Sequence, residues 1–234
     1  MINNFLTSIV FLLFSINTPT VTSTILPVSG TTIVAKPVTA EAVYKSLNAN
    51  SLSLPEFGCF AKALNGFNKL KAAGKIKKDL LTVIDFSKSS NKKRLWIIDM
   101  ATQTVLYNTY VAHGRKSGNE FATSFSNKSN SNKSSLGFYA TGELYTGKHG
   151  KSLRLDGLEK GINNNARARA IVMHAADYVS ESFITNNKRL GRSLGCPALP
   201  NHLNKEIISL ITGKSCLFIY HPTQNYLQSS KLLS

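Results

Sequence analysis

One histidine and one cysteine stand where a fold is able to combine them for chemistry. His174 ends an apolar run of β type, and Cys196 follows 22 residues later. Gly195 and Pro197 flank the cysteine, and a glycine lets the backbone turn sharply there. An imidazole that removes the proton of a thiol turns the sulfur into a nucleophile for carbonyl carbon atoms. The pair therefore indicates thiolate acyl transfer.

The neighbours of the cysteine predict the rest of such a site. Because Gly195 has no side chain, its N–H group or that of Cys196 is able to face a developing oxyanion. Two basic residues upstream, Arg189 and Arg192, are expected to favour the thiolate form of Cys196.

The other two cysteines, Cys59 and Cys216, lie in apolar segments and are predicted to be inert core residues. A disulfide bond between them is an open alternative. With three cysteines in the chain, at least one thiol has no disulfide partner within it.

Two other catalytic classes use the same types of residue. A zinc peptidase built from His174, Asp177 and a further histidine would need ligand motifs such as His-Glu-x-x-His or paired Cys-x-x-Cys, and the sequence contains neither. A papain-like peptidase places its cysteine before its histidine, which is the reverse of the order here. We therefore expect no metal and no other cofactor.

Short segments rich in β-branched and aromatic residues predict the sheet that positions the pair. Polar stretches separate them, and they cover residues 81–86, 94–99, 104–111, 136–145, 152–158, 168–174 and 216–220. Because the first strands follow one another after short turns, we expect antiparallel pairing. A short helix is predicted at residues 204–211.

The rest of the chain divides into a small number of segments. Residues 1–23 hold an apolar block followed by small residues, which is typical of a signal peptide; an uncleaved anchor is the alternative, because no Lys or Arg precedes the block. Residues 24–40 are predicted to form an extended linker. Apolar spacings of three and four predict a helical subdomain at residues 41–78. The main domain then covers residues 79–222, with a C-terminal tail at 223–234.

A polar segment interrupts the main domain. Residues 116–135 are dominated by Ser, Asn and Lys and contain few side chains to bury. Loops of this length in compact domains are usually functional or disordered. A lid over the site and a disordered insertion are both open interpretations.

The charge of the chain is strongly positive. It contains 28 Lys and Arg residues against 12 Asp and Glu residues, a formal net charge of +16. Such a field attracts polyanions, including nucleic acids, acidic membrane surfaces and acidic wall polymers. Since the sequence carries an export signal and no nucleic-acid-binding motif, we expect an exported protein of the periplasm or cell envelope that stays near the membrane surface without spanning it.

The chain resembles the L,D-transpeptidase (YkuD-like) catalytic domain family, and within it the murein L,D-transpeptidase branch. That family's motif is a histidine followed, after a variable stretch, by Ser/Thr-His-Gly-Cys. The resemblance covers about residues 42–222. It is carried in order by the segments 81–86, 108–114, 134–139, 152–155, 171–174 and 191–198.

The resemblance implies a mainly β (β-rich α+β) fold, an L,D-transpeptidase-like β-sandwich with a small N-terminal helical subdomain. It also implies roles for single residues. Cys196 corresponds to the nucleophile, His174 to its base, and Ser193 and Gly195 to the support of the turn and the oxyanion site. Leu194 stands where the motif has its second histidine.

Pro197 and Ala198 replace the family's polar residues after the cysteine, so its substrate-binding arginine has no direct counterpart. We expect Arg192 to bind the substrate in its place, because a guanidinium is able to hold a carboxylate with two hydrogen bonds.

The reaction that the resemblance implies is acyl transfer on peptidoglycan stem peptides. A thioester at Cys196 would pass to an amine of a second stem peptide, to an amine of an envelope protein, or to water. A hydrolase of wall cross-links or attachments on the same fold is one alternative. A non-catalytic cell-wall-binding protein is another, although a retained His174 and Cys196 argue against it.

Overall fold

The computed structural model describes residues 39–233, and they belong to one compact unit. The predicted signal peptide at 1–23 and nearly all of the predicted linker at 24–40 lie outside the described residues. No helix within 39–233 has the length and apolar character needed to cross a bilayer.

This range contains five helices and eight strands, and six of the strands follow one another without a helix between them. The helices are α1 (Ala40–Ser46), α2 (Phe57–Ala72), α3 (Glu181–Asn187), α4 (Asn201–Ile211) and α5 (Gln224–Ser229). The strands are β1 (Leu80–Asp85), β2 (Leu95–Asp99), β3 (Thr104–Thr109), β4 (Gly137–Gly147), β5 (Gly150–Gly157), β6 (Val172–Ala175), β7 (Ala198–Leu199) and β8 (Cys216–Tyr220). The predicted β-rich α+β class is confirmed.

All eight strands belong to one curled sheet in the order β3-β2-β1-β8-β4-β5-β6-β7. The antiparallel pairing expected of the first strands is confirmed, since β1 pairs with β2 and β2 with β3 in this way. Two other pairs are parallel, β1 with β8 and β6 with β7. Parallel neighbours need a long connection, and both pairs have one: most of the domain separates β1 from β8, and α3 lies between β6 and β7.

The strand predicted at residues 168–174 begins later than expected. Residues 161–170 form turns, and Ala170 adopts the left-handed conformation with φ +53°, which ends that turn region. The strand β6 therefore contains only four residues, and His174 lies near its end.

The core packs the helices against both halves of the sheet. Phe60 and Phe67 of α2 join the apolar side chains of β1 and β8 in one buried cluster. Cys59 and Cys216 lie in this cluster, nearly or fully buried, and neither forms a disulfide bond. Burial raises the pKa of both thiols, so they stay protonated and inert, as predicted.

The segment predicted as a C-terminal tail is packed onto the domain through a buried carboxylate. Glu159 accepts hydrogen bonds from the backbone N–H of Phe138 (2.7 Å), the hydroxyl of Tyr226 in α5 (3.3 Å) and the hydroxyl of Ser230. Burial raises the pKa of Glu159 against the effect of these donors. The network ties α5 to the start of β4.

Candidate active site

Cys196 lies in a turn of residues 193–197, the cysteine turn, which runs beside the segment 112–115. The backbone N–H of Ser193 donates to the carbonyl of His113 (3.0 Å), and the carbonyl of Ser193 accepts from the N–H of Arg115 (2.8 Å). Directly after the turn, β7 pairs in parallel with β6. Both ends of the cysteine turn are therefore fixed by backbone hydrogen bonds.

Ser193 closes the turn from inside. Its hydroxyl donates to the carbonyl of Cys196 (2.6 Å) and accepts from the N–H of Gly195 (3.0 Å). The N–H of Gly195 is thus already engaged. The N–H of Cys196 has no hydrogen-bond partner within residues 39–233. Of the two oxyanion donors expected from the sequence, only the N–H of Cys196 is available in this conformation.

Only glycine fits at position 195. Its φ of +130° lies outside the range that residues with side chains readily adopt. A Cβ atom there would stand 2.9 Å from the carbonyl oxygen of Lys133. The carbonyl of Gly195 also accepts a hydrogen bond from the hydroxyl of Ser134 (3.1 Å). The glycine therefore allows the loop before β4 to pack directly on the cysteine turn.

Replacing Gly195 by alanine is expected to distort the turn and to lower the free energy of unfolding by roughly 1–3 kcal/mol. The matched control is Gly161→Ala, because Gly161 also has a positive φ (+80°) but nothing lies within 4 Å of its added Cβ. Urea unfolding and the alkylation rate of Cys196 measure both effects. Equal losses of stability in the two variants, with unchanged alkylation, would show that the close contact at position 195 has no consequence.

His174 and Cys196 lie on neighbouring segments. His174 pairs with Ala198 in the parallel ladder, and the N–H of Val172, two residues before His174, donates to Sγ of Cys196 (3.5 Å). Because side chains alternate along a strand, Val172 and His174 project from the same face of β6. In the range 39–233 no hydrogen bond joins the imidazole to the sulfur. In free enzymes such catalytic contacts are often loose and tighten only with substrate.

The imidazole of His174 is held in one tautomer. Its Nδ1 lies 2.8 Å from the carbonyl oxygen of Ala175, and since a carbonyl only accepts, Nδ1 carries the proton. The lone pair of the neutral ring is then on Nε2. Burial lowers the pKa of His174, the hydrogen bond to Ala175 opposes this, and the neighbouring imidazole of His149 lowers the pKa further. His174 is therefore a neutral proton acceptor near pH 7.

The thiol of Cys196 is protonated in the resting state. Burial raises its pKa, while the hydrogen bond from Val172 and the charge of Arg169 lower it to a smaller extent. The expectation that Arg189 and Arg192 favour the thiolate is thus wrong in two respects. Burial dominates, and the cation that acts on the sulfur is Arg169. A base must remove the proton before the sulfur can attack.

Arg169 was not predicted from the sequence, and it fastens the long polar loop beside the thiol. Its guanidinium donates to the carbonyls of Ser126 (2.8 Å) and Lys133 (2.7 Å) and to the hydroxyls of Ser131 and Ser135. Residues 116–135 are therefore not a disordered insertion. They form a wall of the site that is hydrogen-bonded to Arg169 and, through Ser134, to the cysteine turn.

Arg192, the predicted substrate contact, is attached to the start of the same loop. Its Nη1 donates to the carbonyl of Gly118 (3.0 Å) and to Oδ1 of Asn119 (2.6 Å). The structure therefore places Arg192 next to the cysteine turn, with one of its terminal nitrogens already bound to the protein.

Two side chains form the outer border of the site. Leu194, at the position of the motif's second histidine, is 62% exposed immediately before Gly195 and Cys196. Tyr178 packs against Gly191. Burial, and to a smaller extent the negative charge that Cys196 carries when it is ionised, raise the pKa of Tyr178 to about 12. The thiol is thus bordered by an apolar side chain and a neutral phenol. In the sequence, only the position of Tyr178 shortly after the strand that contains His174 indicates that it could border the site.

His113, which lies in the segment beside the cysteine turn, has both ring nitrogens engaged. Its Nδ1 accepts from Nη2 of the buried Arg94 (2.8 Å), and its Nε2 donates to the carbonyl of Gly118 (3.3 Å). Burial, together with the charge of Arg94, lowers the pKa of His113 to about 3. This histidine supports the backbone next to the cysteine turn and stays uncharged.

Among comparisons with known proteins, one with protein families gives a match. A sequence profile described as the L,D-transpeptidase catalytic domain matches residues 53–220. No curated protein matches the chain.

Among solved structures, the chain is similar to an L,D-transpeptidase from Mycobacterium smegmatis, with 10% identity over 61% of this chain and 59% of that chain and a TM-score of 0.38. It is also similar to the helical cell shape determining protein Pgp2 from Campylobacter jejuni (11% identity, 68% of this chain and 57% of that chain, TM-score 0.40). A third is an L,D-transpeptidase from Stackebrandtia nassauensis (12% identity, 71% and 68%, TM-score 0.37). The chain thus spans less than two thirds of the length of the first two.

The profile match extends from the segment before α2 to the end of β8 and so includes β6, the cysteine turn and both predicted reacting residues. It covers well over half of the chain. This protein belongs to the L,D-transpeptidase catalytic domain family.

Proposed function

We propose that this protein is a cysteine-dependent acyl transferase that acts on peptidoglycan stem peptides through a thioester at Cys196. With an amine as acceptor it is an L,D-transpeptidase, and with water it is an L,D-carboxypeptidase. The observation that carries the proposal is the position of Cys196: its sulfur accepts the N–H of Val172 in β6, the short strand that also carries the neutral imidazole of His174.

The first half-reaction releases the terminal D-alanine of a tetrapeptide stem. Nε2 of His174 takes the thiol proton while Sγ of Cys196 attacks the carbonyl at the L-centre of the third residue, a diamino acid. The peptide bond to D-alanine breaks, and His174 returns the proton to the leaving amine. The carbon–sulfur bond of the thioester replaces the carbon–nitrogen bond.

The second half-reaction regenerates the thiol. An amine of a second stem peptide, or of an envelope protein, attacks the thioester carbonyl, and His174 takes its proton and passes it to the departing sulfur. In both steps the carbonyl oxygen becomes negative. The N–H of Cys196 is the donor that we assign to this oxyanion, while Ser193 and Gly195 hold the turn that presents it.

Arg192 is our proposed contact for a carboxylate of the stem peptide. Because its Nη1 already binds Gly118 and Asn119, this contact would use the other guanidinium nitrogens. The net charge of +16 supports the proposal, since it concentrates the protein near acidic wall polymers and anionic membrane surfaces. We place the protein outside the cytoplasm, in the periplasm or cell envelope, as the predicted signal peptide implies.

The pH dependence of the reaction follows from the shifted pKa values. The pKa of His174 is lowered, so the base is neutral above the folded-state value and is lost only when pH falls below it. We expect kcat/KM to stay constant as the pH is lowered to about 6.5, the ordinary pKa of histidine, and to fall only at still lower pH. A pH profile of tetrapeptide turnover measures this. An acid limb centred above pH 7 would contradict a neutral, buried base.

Product analysis distinguishes the candidate functions. Purified disaccharide tetrapeptides are incubated with the wild-type protein and separated by chromatography with mass detection. Cross-linked dimers indicate transpeptidation, and tripeptides alone indicate carboxypeptidation. Shortened products from cross-linked substrates, without new dimers, would favour a hydrolase of wall attachments. An absence of any product, with retained binding to isolated wall, would favour a non-catalytic wall-binding protein.

A further inference from the structure

A second imidazole lies against that of His174. His149 belongs to the turn that joins β4 to β5, and its ring stacks on the ring of His174 with 4.5 Å between the centroids and 24° between the planes. His149 is exposed, whereas His174 is only 4% exposed. None of the roles assigned above uses His149.

The hairpin fixes this contact through its register. Gly147 pairs with Gly150, so that Lys148 and His149 connect the two strands, and Gly150 has the positive φ (+72°) of the left-handed residue that follows the turn in hairpins with a G1 bulge. Two residues further on, Ser152 pairs with His174. The turn therefore extends just beyond the partner of His174, where the side chain of His149 reaches over the imidazole.

The stack restricts what His174 can do. Its Nδ1 is bound to the carbonyl of Ala175, and one face of its ring is covered by His149, so rotation of the ring would break both contacts. Parallel-offset rings at this separation attract each other when neutral. Two protonated imidazoles would repel each other, which is why His149 contributes to the lowered pKa of His174.

Several other ionisable groups stand on the elements around His174, among them the exposed Lys151 of β5. On the hairpin, Lys148 is exposed, and Arg154 pairs with Glu143 (3.0 Å). After β6, Asp177 accepts a hydrogen bond from Asn201. Before β7 stands Cys196, which is protonated at rest. Among the neighbouring ionisable groups, His149 is the one whose charge lowers the pKa of His174.

Building on the proposed function, we propose that His149 is a positioning residue for the reaction: the β4–β5 turn lays its imidazole flat on that of His174 and so holds the base in one orientation beside the cysteine turn. The base is thereby fixed from two sides, by the carbonyl of Ala175 at its edge and by His149 on its face.

Three variants of the full chain test this with tetrapeptide turnover. His149→Ala removes the stack, and we expect kcat to fall about tenfold because the base loses its fixed orientation. His149→Phe keeps a flat ring without a charge, and we expect it to retain activity within about threefold of wild type, with the acid limb moved to higher pH because the repulsion is gone. His202→Ala, an exposed histidine of α4, is the control and should change neither quantity.

Wild-type activity in His149→Ala, or an equal loss in the Ala and Phe variants, would overturn the proposal. A second readout does not depend on turnover. In a Cys196→Ala background, NMR of the imidazole nitrogens follows the tautomer and titration of His174. We expect His149→Ala to lose the single Nδ1–H tautomer and His149→Phe to keep it. Unchanged His174 signals in His149→Ala would contradict the positioning role, whereas a changed signal with no wild-type turnover would contradict only the proposed function.

Discussion

Replacing Cys196 by alanine is expected to lower acyl-transfer turnover by a factor on the order of 10⁴ or more. The thioester cannot form without the sulfur, and no other described thiol is able to replace it. Cys59 and Cys216 are buried in the core, and burial raises the pKa of each thiol. Formation of tripeptides and dimers from tetrapeptide substrate measures the loss.

Cys59→Ala is the matched control for this variant. It also removes a buried thiol, but from α2 in the hydrophobic core, so it should cost stability and leave turnover per folded molecule unchanged. Circular dichroism confirms that each variant is folded. If Cys196→Ala kept even a tenth of the wild-type rate, the sulfur would not be the nucleophile.

The second large effect is expected for His174→Gln, which should lower kcat by roughly 10²- to 10⁴-fold. A glutamine retains polarity and similar size but cannot take the proton of a thiol whose pKa is already raised. Because the deprotonated fraction of Cys196 then depends on hydroxide alone, the residual rate should rise with pH across the neutral range, without the plateau of the wild type.

His202→Gln is the control for this second variant, since His202 is exposed at the start of α4 and has no role in the proposed reaction. It should keep the wild-type rate and pH profile. A His174→Gln protein with an unchanged acid limb would show that another group limits the reaction at low pH.

The strands of the sheet were predictable because most of them carry a local signal. Leu95–Asp99 and Cys216–Tyr220 are short, apolar and β-branched or aromatic, and the structure has strands at both. Their partners were not predictable. The insertion of β8 between β1 and β4 depends on contacts between residues far apart in sequence, which spacing and composition do not encode.

The proposed reacting pair was predicted from residue types and the family motif, whereas its geometry could not be predicted. The parallel pairing of β6 and β7 brings the segments that contain His174 and Cys196 side by side. This pairing involves only two residues of each strand, and no local sequence pattern predicts it. Ser193 was predicted to support the turn, and its hydroxyl does so. The N–H of Gly195 donates to this hydroxyl and is therefore not available to an oxyanion, which could not be predicted from the sequence.

The role of Arg169 could not be predicted from the sequence, and the reason is physical. It lies in the polar stretch before β6, where an arginine is usually a solvated surface cation, and its role arises only when residues 126–135 fold over it. From the sequence, the electrostatic effect on the thiol was expected from Arg189 and Arg192, which are close to Cys196 along the chain. Arg189 donates to the carbonyl of Leu190, and Arg192 holds the loop at Gly118. Electrostatic control of the sulfur thus depends on tertiary contacts.

The most direct test of the account is covalent capture of the nucleophile. A carbapenem is a strained cyclic amide that resembles the acyl donor, so Cys196 should open its ring and keep the acyl group. Wild-type protein is incubated with the carbapenem under reducing conditions and analysed by intact-protein and peptide mass spectrometry. The account predicts one adduct of the full carbapenem mass on the peptide that contains Cys196, and none in Cys196→Ala. An unmodified wild-type protein, or an adduct located at Cys59 or Cys216, would contradict it.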